Sequence, residues 1–300
     1  MVVAVAAVMG LAVLAVGLVY RDQIGRYATH WKGSPTHTVA WAPFPPADPL
    51  LLHLAVAGDV GDSGPRIRAT GRAVARIDRV QPFDGLVLLG DNVYPSGDPA
   101  GLGDSVFGPF AEVLDHAPLF AVLGNHDVKN GNAPGQVAAL GMGGRWWSHD
   151  FGDVLLVGLD SNSVGDAGQR AWLEDTLAAS TETWRIVVLH HPPYSAGYQG
   201  SSLAVRRAFA PLFERYGVQL VLSGHDHDYQ RSKPINGVTY IVSGAAAGSR
   251  RTGEDAFTAA SFSWHHFTEV AVFADHLVVR AVNQDRRVAD EAVIGPGSAG

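Results

Sequence analysis

Cysteine is absent from all 300 residues of this sequence. That removes disulfide scaffolds, thiolate metal sites and cysteine nucleophiles together, and it leaves the redox compartment open. Basic charge is scarce as well: Lys+Arg number 22 against Asp+Glu 29, a formal net charge of −7. A chain without a basic field is a poor match for phosphate backbones, so no nucleic-acid partner is expected. There is no Gly-x-Ser-x-Gly turn to present a serine nucleophile, no P-loop lysine motif, no repeat at a fixed period and no long run of charge. What is present is 47% hydrophobic and 17% charged residues, the balance of a core-forming globular protein, with 35 glycines and 13 histidines.

The one long hydrophobic run is residues 2–19, drawn only from Val, Ala, Leu, Met and Gly. As a helix rising about 1.5 Å per residue it would be about 27 Å long, nearly a bilayer core. Tyr20 and Arg21 follow as an interfacial stop, so residues 1–20 read as a hydrophobic transmembrane anchor or, as the alternative, a secretory signal. Against cleavage, no Lys or Arg precedes the run, and Ala15 and Gly17 make a weak site. Arg21, Arg26 and Lys32 would by charge bias hold the following chain inside, whereas an uncleaved signal places it outside. The extracytoplasmic side is the expectation, membrane-anchored or secreted. Residues 21–49, with Trp31, Trp41 and the stretch Pro43-Phe44-Pro45-Pro46-Ala47-Asp48-Pro49, read as a proline-rich spacer. The folded domain is then expected over residues 50–293, with a flexible tail at 294–300.

Within that domain five short, mostly apolar runs each end in polar residues. Residues 50–57 precede Gly58-Asp59, 86–89 precede Gly90-Asp91, and 119–123 precede Gly124-Asn125-His126-Asp127. Residues 186–189 precede His190, and 218–222 precede Ser223-Gly224-His225-Asp226-His227. Apolar runs of this length bounded by glycine read as fully buried strands, and helical stretches at about 66–80, 169–179 and 201–216 lie between several of them. That alternation is the α/β signature. In open α/β sheets ligands lie beyond the carboxyl ends of the strands, so the five ends would converge on one crevice. Taken singly, each Asp, Asn or His has an ordinary reading as a turn or helix-cap residue. Five strand ends that all carry such groups fit a shared metal site far better than five unrelated turns.

At this point the sequence resembles the calcineurin-like metallophosphoesterases, and among them the purple acid phosphatases most closely. Gly58-Asp59-Val60-Gly61, Gly90-Asp91-Asn92-Val93-Tyr94, Gly124-Asn125-His126-Asp127, Leu189-His190-His191-Pro192 and Gly224-His225-Asp226-His227 look like the five motifs of that family, in its order. The resemblance implies a four-layer α/β/β/α sandwich with two mixed β-sheets. It further implies that Asp59, Tyr94 and His227 hold one metal ion and Asn125, His190 and His225 a second, with Asp91 bridging them. Asp59 with a Tyr94 phenolate suits Fe(III), and the His, His and Asn set suits Fe(II), Zn or Mn. A small phosphorylated substrate would then be hydrolysed by a metal-bound hydroxide, without a covalent protein intermediate. Asn125 and His126 would contact substrate, His126 as the general acid with Asp127 available to orient it; His191 is a further substrate-contact candidate.

The sequence departs from the pattern in one place. Many relatives carry a further histidine about nine residues after the fourth motif, where Gln199 and Gly200 stand here. Arg250 and Arg251, in a glycine-rich stretch, read as solvated surface. His30, His37, His53, His116, His149, His265, His266 and His276 read as structural or exposed. Hydrolysis of phosphate monoesters is the leading reading. A metal-dependent diesterase acting on a cyclic nucleotide or lipid headgroup is the alternative, and an inactive membrane-anchored binding protein a third.

Overall fold

The computed structural model describes residues 32–46 and 48–296. The apolar run at 2–19, read above as an anchor or signal, lies outside the described residues, as do residues 297–300 of the tail expected at 294–300; Ile294, expected in that tail, ends a strand paired at Leu277. Among the described residues no helix is long and apolar enough to cross a membrane.

The apolar runs form the strands expected of them. Strands β2 (Leu52–Ala57), β3 (Gly85–Leu88) and β4 (Leu119–Ala121) pair in parallel in one sheet. Strands β6 (Val154–Gly158), β7 (Trp184–Leu189), β8 (Leu220–Ser223) and β10 (Thr239–Ser243) pair in parallel in a second. Each sheet has seven strands and is completed by antiparallel partners. The first takes β1 (Val39–Ala40), β12 (His266–Val272), β13 (Leu277–Asn283) and β14 (Arg287–Ile294), in the order β1-β14-β13-β12-β2-β3-β4. The second takes β5 (Trp147–Asp150), β9 (Tyr229–Ser232) and β11 (Thr258–Phe262), in the order β11-β9-β10-β8-β7-β6-β5.

Alternation along each strand explains why the runs are apolar throughout. Leu54 and Val56 face a central core shared with Ile186, Val188, Leu220 and Leu222 of the other sheet, while Ala55 and Ala57 face an outer core with Ile67, Val74 and Ile77. These last three lie on α1 (Pro65–Asp78). Val187, Leu189 and Val221 likewise face Leu173 and Leu177 of α4 (Ala167–Ala179) and Phe209 and Phe213 of α5 (Leu203–Arg215). Two shorter helices, α2 (Ala111–Leu114) and α3 (Ala133–Ala139), fill the connections around β4. The layers are therefore helix, sheet, sheet, helix, as the resemblance implied, and every central strand is covered on both faces.

The spacer expected up to residue 49 is corrected by the structure. From Lys32 onward the described chain packs onto the domain: β1 pairs with β14, and the Trp41 indole N–H donates to the buried Glu269 carboxylate at 3.0 Å. Phe44 is 6% exposed and packs edge-on against Phe273. Proline spacing signalled irregular backbone but not the aromatic anchors that tie it down.

One histidine outside the motifs has a defined structural task. His266 is fully buried; its Nδ1–H donates to the Trp264 carbonyl, and its Nε2 accepts from the Ser243 hydroxyl, which in turn accepts from Thr268. Burial lowers its pKa from 6.5 to about 4. The unfolded chain therefore binds this proton more tightly than the folded one, and stability present above pH 6.5 is lost as pH falls towards 4. We expect urea denaturation of the wild type to show an unfolding free energy that declines over this window by up to roughly 3 kcal/mol from this group. His266→Gln should decline less steeply, and an equal slope in the variant would refute the assignment.

Candidate metal centre

The carboxyl ends of the parallel strands of both sheets meet at one cleft, and the turn backbone there is constrained. Asp59, Asp91 and His225 all have positive φ, at 57°, 53° and 70°, a region that non-glycine residues seldom occupy. Such backbone is held in place only when its surroundings over-determine it, and it gathers at functional sites. The Asp59 N–H donates to the Gly90 carbonyl at 3.0 Å and the Gly61 N–H to the Asp91 carbonyl at 2.9 Å, so the first two turns brace each other. Gly124 allows the third turn to close on the second: a Cβ there would collide with Asp91 Oδ1.

Six side chains named from the sequence fall into two clusters. In the first, the Tyr94 hydroxyl lies 3.0 Å from Asp59 Oδ1 and 3.0 Å from His227 Nε2, and His227 Nε2 lies 3.2 Å from Asp59 Oδ1. In the second, His190 Nε2 lies 3.1 Å from Asn125 Oδ1 and 3.2 Å from His225 Nδ1. Asp91 stands between them, its Oδ1 3.5 Å from His190 Nε2, and its charge also reaches Tyr94. Asp59, Asp91 and His190 thus bring one ligand atom each within 4.8 Å of one another, and so do His190, His191 and His225.

These distances bear directly on whether a cation belongs there. His190 donates its Nδ1–H to the Leu89 carbonyl at 2.8 Å, so in the neutral ring Nε2 carries a lone pair. That lone pair points at the Asn125 carbonyl oxygen, itself an acceptor, and at Asp91. Acceptors facing acceptors are unfavourable unless something positive lies between them. Donors bound at about 2.0–2.2 Å around one ion sit roughly 3.0 Å apart along an octahedral edge, which matches both clusters. The residues present therefore fit a bound metal centre.

The ionisation pattern points the same way. Burial would lower the His190 pKa, but the charges of Asp91 and Asp59 prevail and raise it, so without a cation the site retains a proton there. His225 is lowered to about 4 by burial and by His190. Burial would raise Asp59, yet its hydrogen bond with His227 and the nearby imidazoles bring it below the usual carboxylate value. Tyr94 is pushed far above its ordinary value by burial and by the carboxylates of Asp59 and Asp91, so only a strongly acidic cation would ionise it.

Two readings of the neighbouring residues change. Asp127, expected to orient His126, is fully buried and turned away. Its carboxylate accepts from the Asn92 N–H at 2.9 Å, the Asn92 side-chain amide at 3.1 Å and the Gly124 N–H at 2.8 Å, and so ties the second turn to the third. Burial and the Asp91 charge raise its pKa to about 7. The His126 ring is oriented instead by the Pro95 carbonyl, which accepts from Nδ1 at 2.7 Å and leaves Nε2 3.9 Å from Asp91 Oδ2. His191 faces Ser161, whose hydroxyl lies 2.8 Å from its Nδ1, and burial with His190 and His225 alongside lowers its pKa to about 2. Ser161 was legible in principle, since residues 154–159 are one more apolar run that ends in polar residues. Pro95 left no signal.

A cavity of about 320 Å³ opens over this arrangement, lined by Asp91, Tyr94, Pro95, Asn125, His126, His225 and His227 together with Gln199 and Arg250. Arg250, read from the sequence as solvated surface, is exposed but stands at the cavity wall. Gln199 stands there too.

The model of the calcineurin-like phosphoesterase family matches residues 52–229, and the chain belongs to that family, a phosphoester hydrolase. It is 28% identical over 248 residues to tartrate-resistant acid phosphatase type 5 of Rattus norvegicus, covering 66% of this chain and 76% of that one. It is 28% identical over 212 residues to purple acid phosphatase 21 of Arabidopsis thaliana, covering 63% of this chain and 47% of that one. Among solved structures, the purple acid phosphatase PPD1 of yellow lupin (Lupinus luteus) superposes with a TM-score of 0.72 at 18% identity, over 86% of this chain and 56% of that one. GAP50, described as the anchor in the inner membrane complex of Plasmodium, superposes with a TM-score of 0.74 at 18% identity, over 83% and 90%. At that identity the two structures speak for the fold alone.

If these donors hold a cation, adding Zn or Mn to metal-free protein should raise the melting temperature. At an ion concentration 100-fold above Kd the gain is about 2.7 kcal/mol, or roughly 5–10 °C for a domain of this size. The rise should shrink in acid, because the proton favoured on His190 competes with the ion. It should vanish in His190→Ala; no shift in the wild type, or one indifferent to pH, would contradict this reading.

Proposed function

We propose that this protein hydrolyses phosphate monoesters at a two-metal centre. Asp59, Tyr94 and His227 would hold one ion, Asn125, His190 and His225 the other, and Asp91 would bridge them. The observation that carries the reading is the convergence of acceptor atoms, His190 Nε2 on Asn125 Oδ1 above all, at distances that suit shared coordination. Two cations held there would supply an activated water, a template for the phosphoryl group and neutralising charge during in-line displacement. The unequal donors favour Fe(III) beside the tyrosine and a divalent Fe, Zn or Mn beside the imidazoles.

The chain's own groups do the rest. Asn125 turns its carbonyl oxygen to His190, which leaves its amide N–H groups for a phosphoryl oxygen. His126 is locked by the Pro95 carbonyl through Nδ1–H, so a proton on Nε2 is aimed into the cavity, where it can pass to the leaving oxygen. Lys129 places its ammonium 3.0 Å from Nδ1; because that nitrogen already donates to Pro95, the ammonium acts as a charge beside the ring. His191, with its pKa depressed to about 2, stays neutral and serves as a wall of the centre braced by Ser161. The apolar run at 2–19 supports an amino-terminal anchor or secretory signal with the catalytic domain on the extracytoplasmic side.

Side-by-side assays of p-nitrophenyl phosphate and bis(p-nitrophenyl) phosphate should show turnover of the monoester, lost by at least about 10²–10³-fold in Asp91→Asn. High diester with negligible monoester turnover would replace this reading with a phosphodiesterase. His126→Asn should slow phenyl phosphate about 10²-fold or more and p-nitrophenyl phosphate less, since the better leaving group needs less protonation. Equal losses on both esters would remove His126 from the acid role.

A further inference from the structure

The cavity lining includes groups that the chemistry above does not use. We infer that Arg250, with Gln199 and Tyr198 beside it, binds a second anionic group on the substrate, so that the preferred phosphate esters bear a carboxylate or a further phosphate on their leaving group. This rests on the phosphatase reading of the same site.

Arg250 is held at its backbone and lies near one aromatic ring. Its backbone N–H donates to the His227 carbonyl at 2.6 Å, which pins it against the residue assigned to the first ion. Its guanidinium lies 5.7 Å from the centre of the Tyr198 ring, within cation–π range. Among the described residues the guanidinium enters no ion pair; Arg66, Arg72, Arg207 and Arg251 are unpaired as well, but of these Arg250 is the one that lines the cavity. It approaches no ligand side chain within hydrogen-bond distance. A permanent charge with a planar fork of donors, lining a cavity yet set back from the metal-binding side chains, suits an anion beyond the phosphoryl group that reacts.

The rest of the wall is rigidly coupled to the centre. Asp226, 1% exposed and flanked in sequence by His225 and His227, accepts from the Gln199 N–H at 2.6 Å, the Gly200 N–H at 3.0 Å and the Ser195 hydroxyl at 2.5 Å. Gln230 extends the brace, with its amide donating to the Ser195 oxygen and to Asp228 and its carbonyl accepting from the Ala196 N–H. The loop of residues 195–200 is thereby held as a platform, with Tyr198 57% exposed at the rim and Gln199 on the cavity. Gln199 has no proton to give in this pH range, so its amide serves recognition and leaves acid chemistry to His126.

The test compares kcat/KM of the metal-loaded full chain on phenyl phosphate, 4-carboxyphenyl phosphate and inorganic pyrophosphate. The two aryl esters differ chiefly in the added carboxylate, and pyrophosphate offers the second phosphate. The wild type should prefer one or both of the doubly anionic substrates by about 10-fold, the value of one charge-assisted contact, and the arm that shows it tells carboxylate from phosphate. Arg250→Ala should collapse that ratio, chiefly through KM, while Arg251→Ala, an exposed neighbour of equal charge, should keep it. A wild-type ratio near one, a ratio unmoved by Arg250→Ala, or equal effects of the two variants would overturn the inference and leave the phosphatase reading standing. Absence of turnover on all three in the wild type would overturn both.

Discussion

The crowding of carboxylate, amide and imidazole ligand atoms into one cleft is the constraint on which this structure depends. Asp59, Asp91, Asn125, His190, His225 and His227 bring oxygen and nitrogen atoms to separations of 3.1–3.5 Å in a largely buried cleft. In water such groups would be solvated apart; here two seven-stranded sheets hold them together. The fold supplies the opposing energy through a core in which each parallel strand is covered on both faces, at roughly 25 cal/mol per Å² of apolar surface removed from water. The left-handed backbone at Asp59, Asp91 and His225 is part of what that core sustains.

The same constraint accounts for the supporting hydrogen bonds. Asp127 and Asp226 are buried carboxylates next to assigned ligands or one residue removed, and each spends its acceptor capacity on backbone N–H groups of a neighbouring loop. One joins the second and third turns; the other carries the wall of residues 195–200. Carboxylates in these places fix the donors of the centre by bracing loops and not by touching substrate. The Pro95 carbonyl and the Ser161 hydroxyl do the same for the rings of His126 and His191.

Much of this was legible in the residues. Apolar runs read at 50–57, 86–89 and 186–189 signalled buried strands, which form at 52–57, 85–88 and 184–189, and the Asp and His that follow them meet at one end of the fold. The antiparallel strands β9 and β11 to β14 were less so, because polar residues stand within them even where they are buried, as Thr268 and Glu269 are in β12, and the register of β12 against β2 joins residues more than 200 positions apart. The packing of residues 32–46 was hidden for a related reason: Trp41 and Phe44 find Glu269 and Phe273 more than 200 positions away. Arg250 read as surface because an exposed side chain and a cavity wall are indistinguishable until the loop opposite it has a place.

The claim that all of this serves a pair of cations is tested most directly by counting them. Elemental analysis of the purified full chain, after equilibrium dialysis against iron, zinc and manganese in turn, should give two metal equivalents per chain, falling to one or none in Asp91→Asn. A wild-type chain that binds one equivalent or none at saturation would contradict the account.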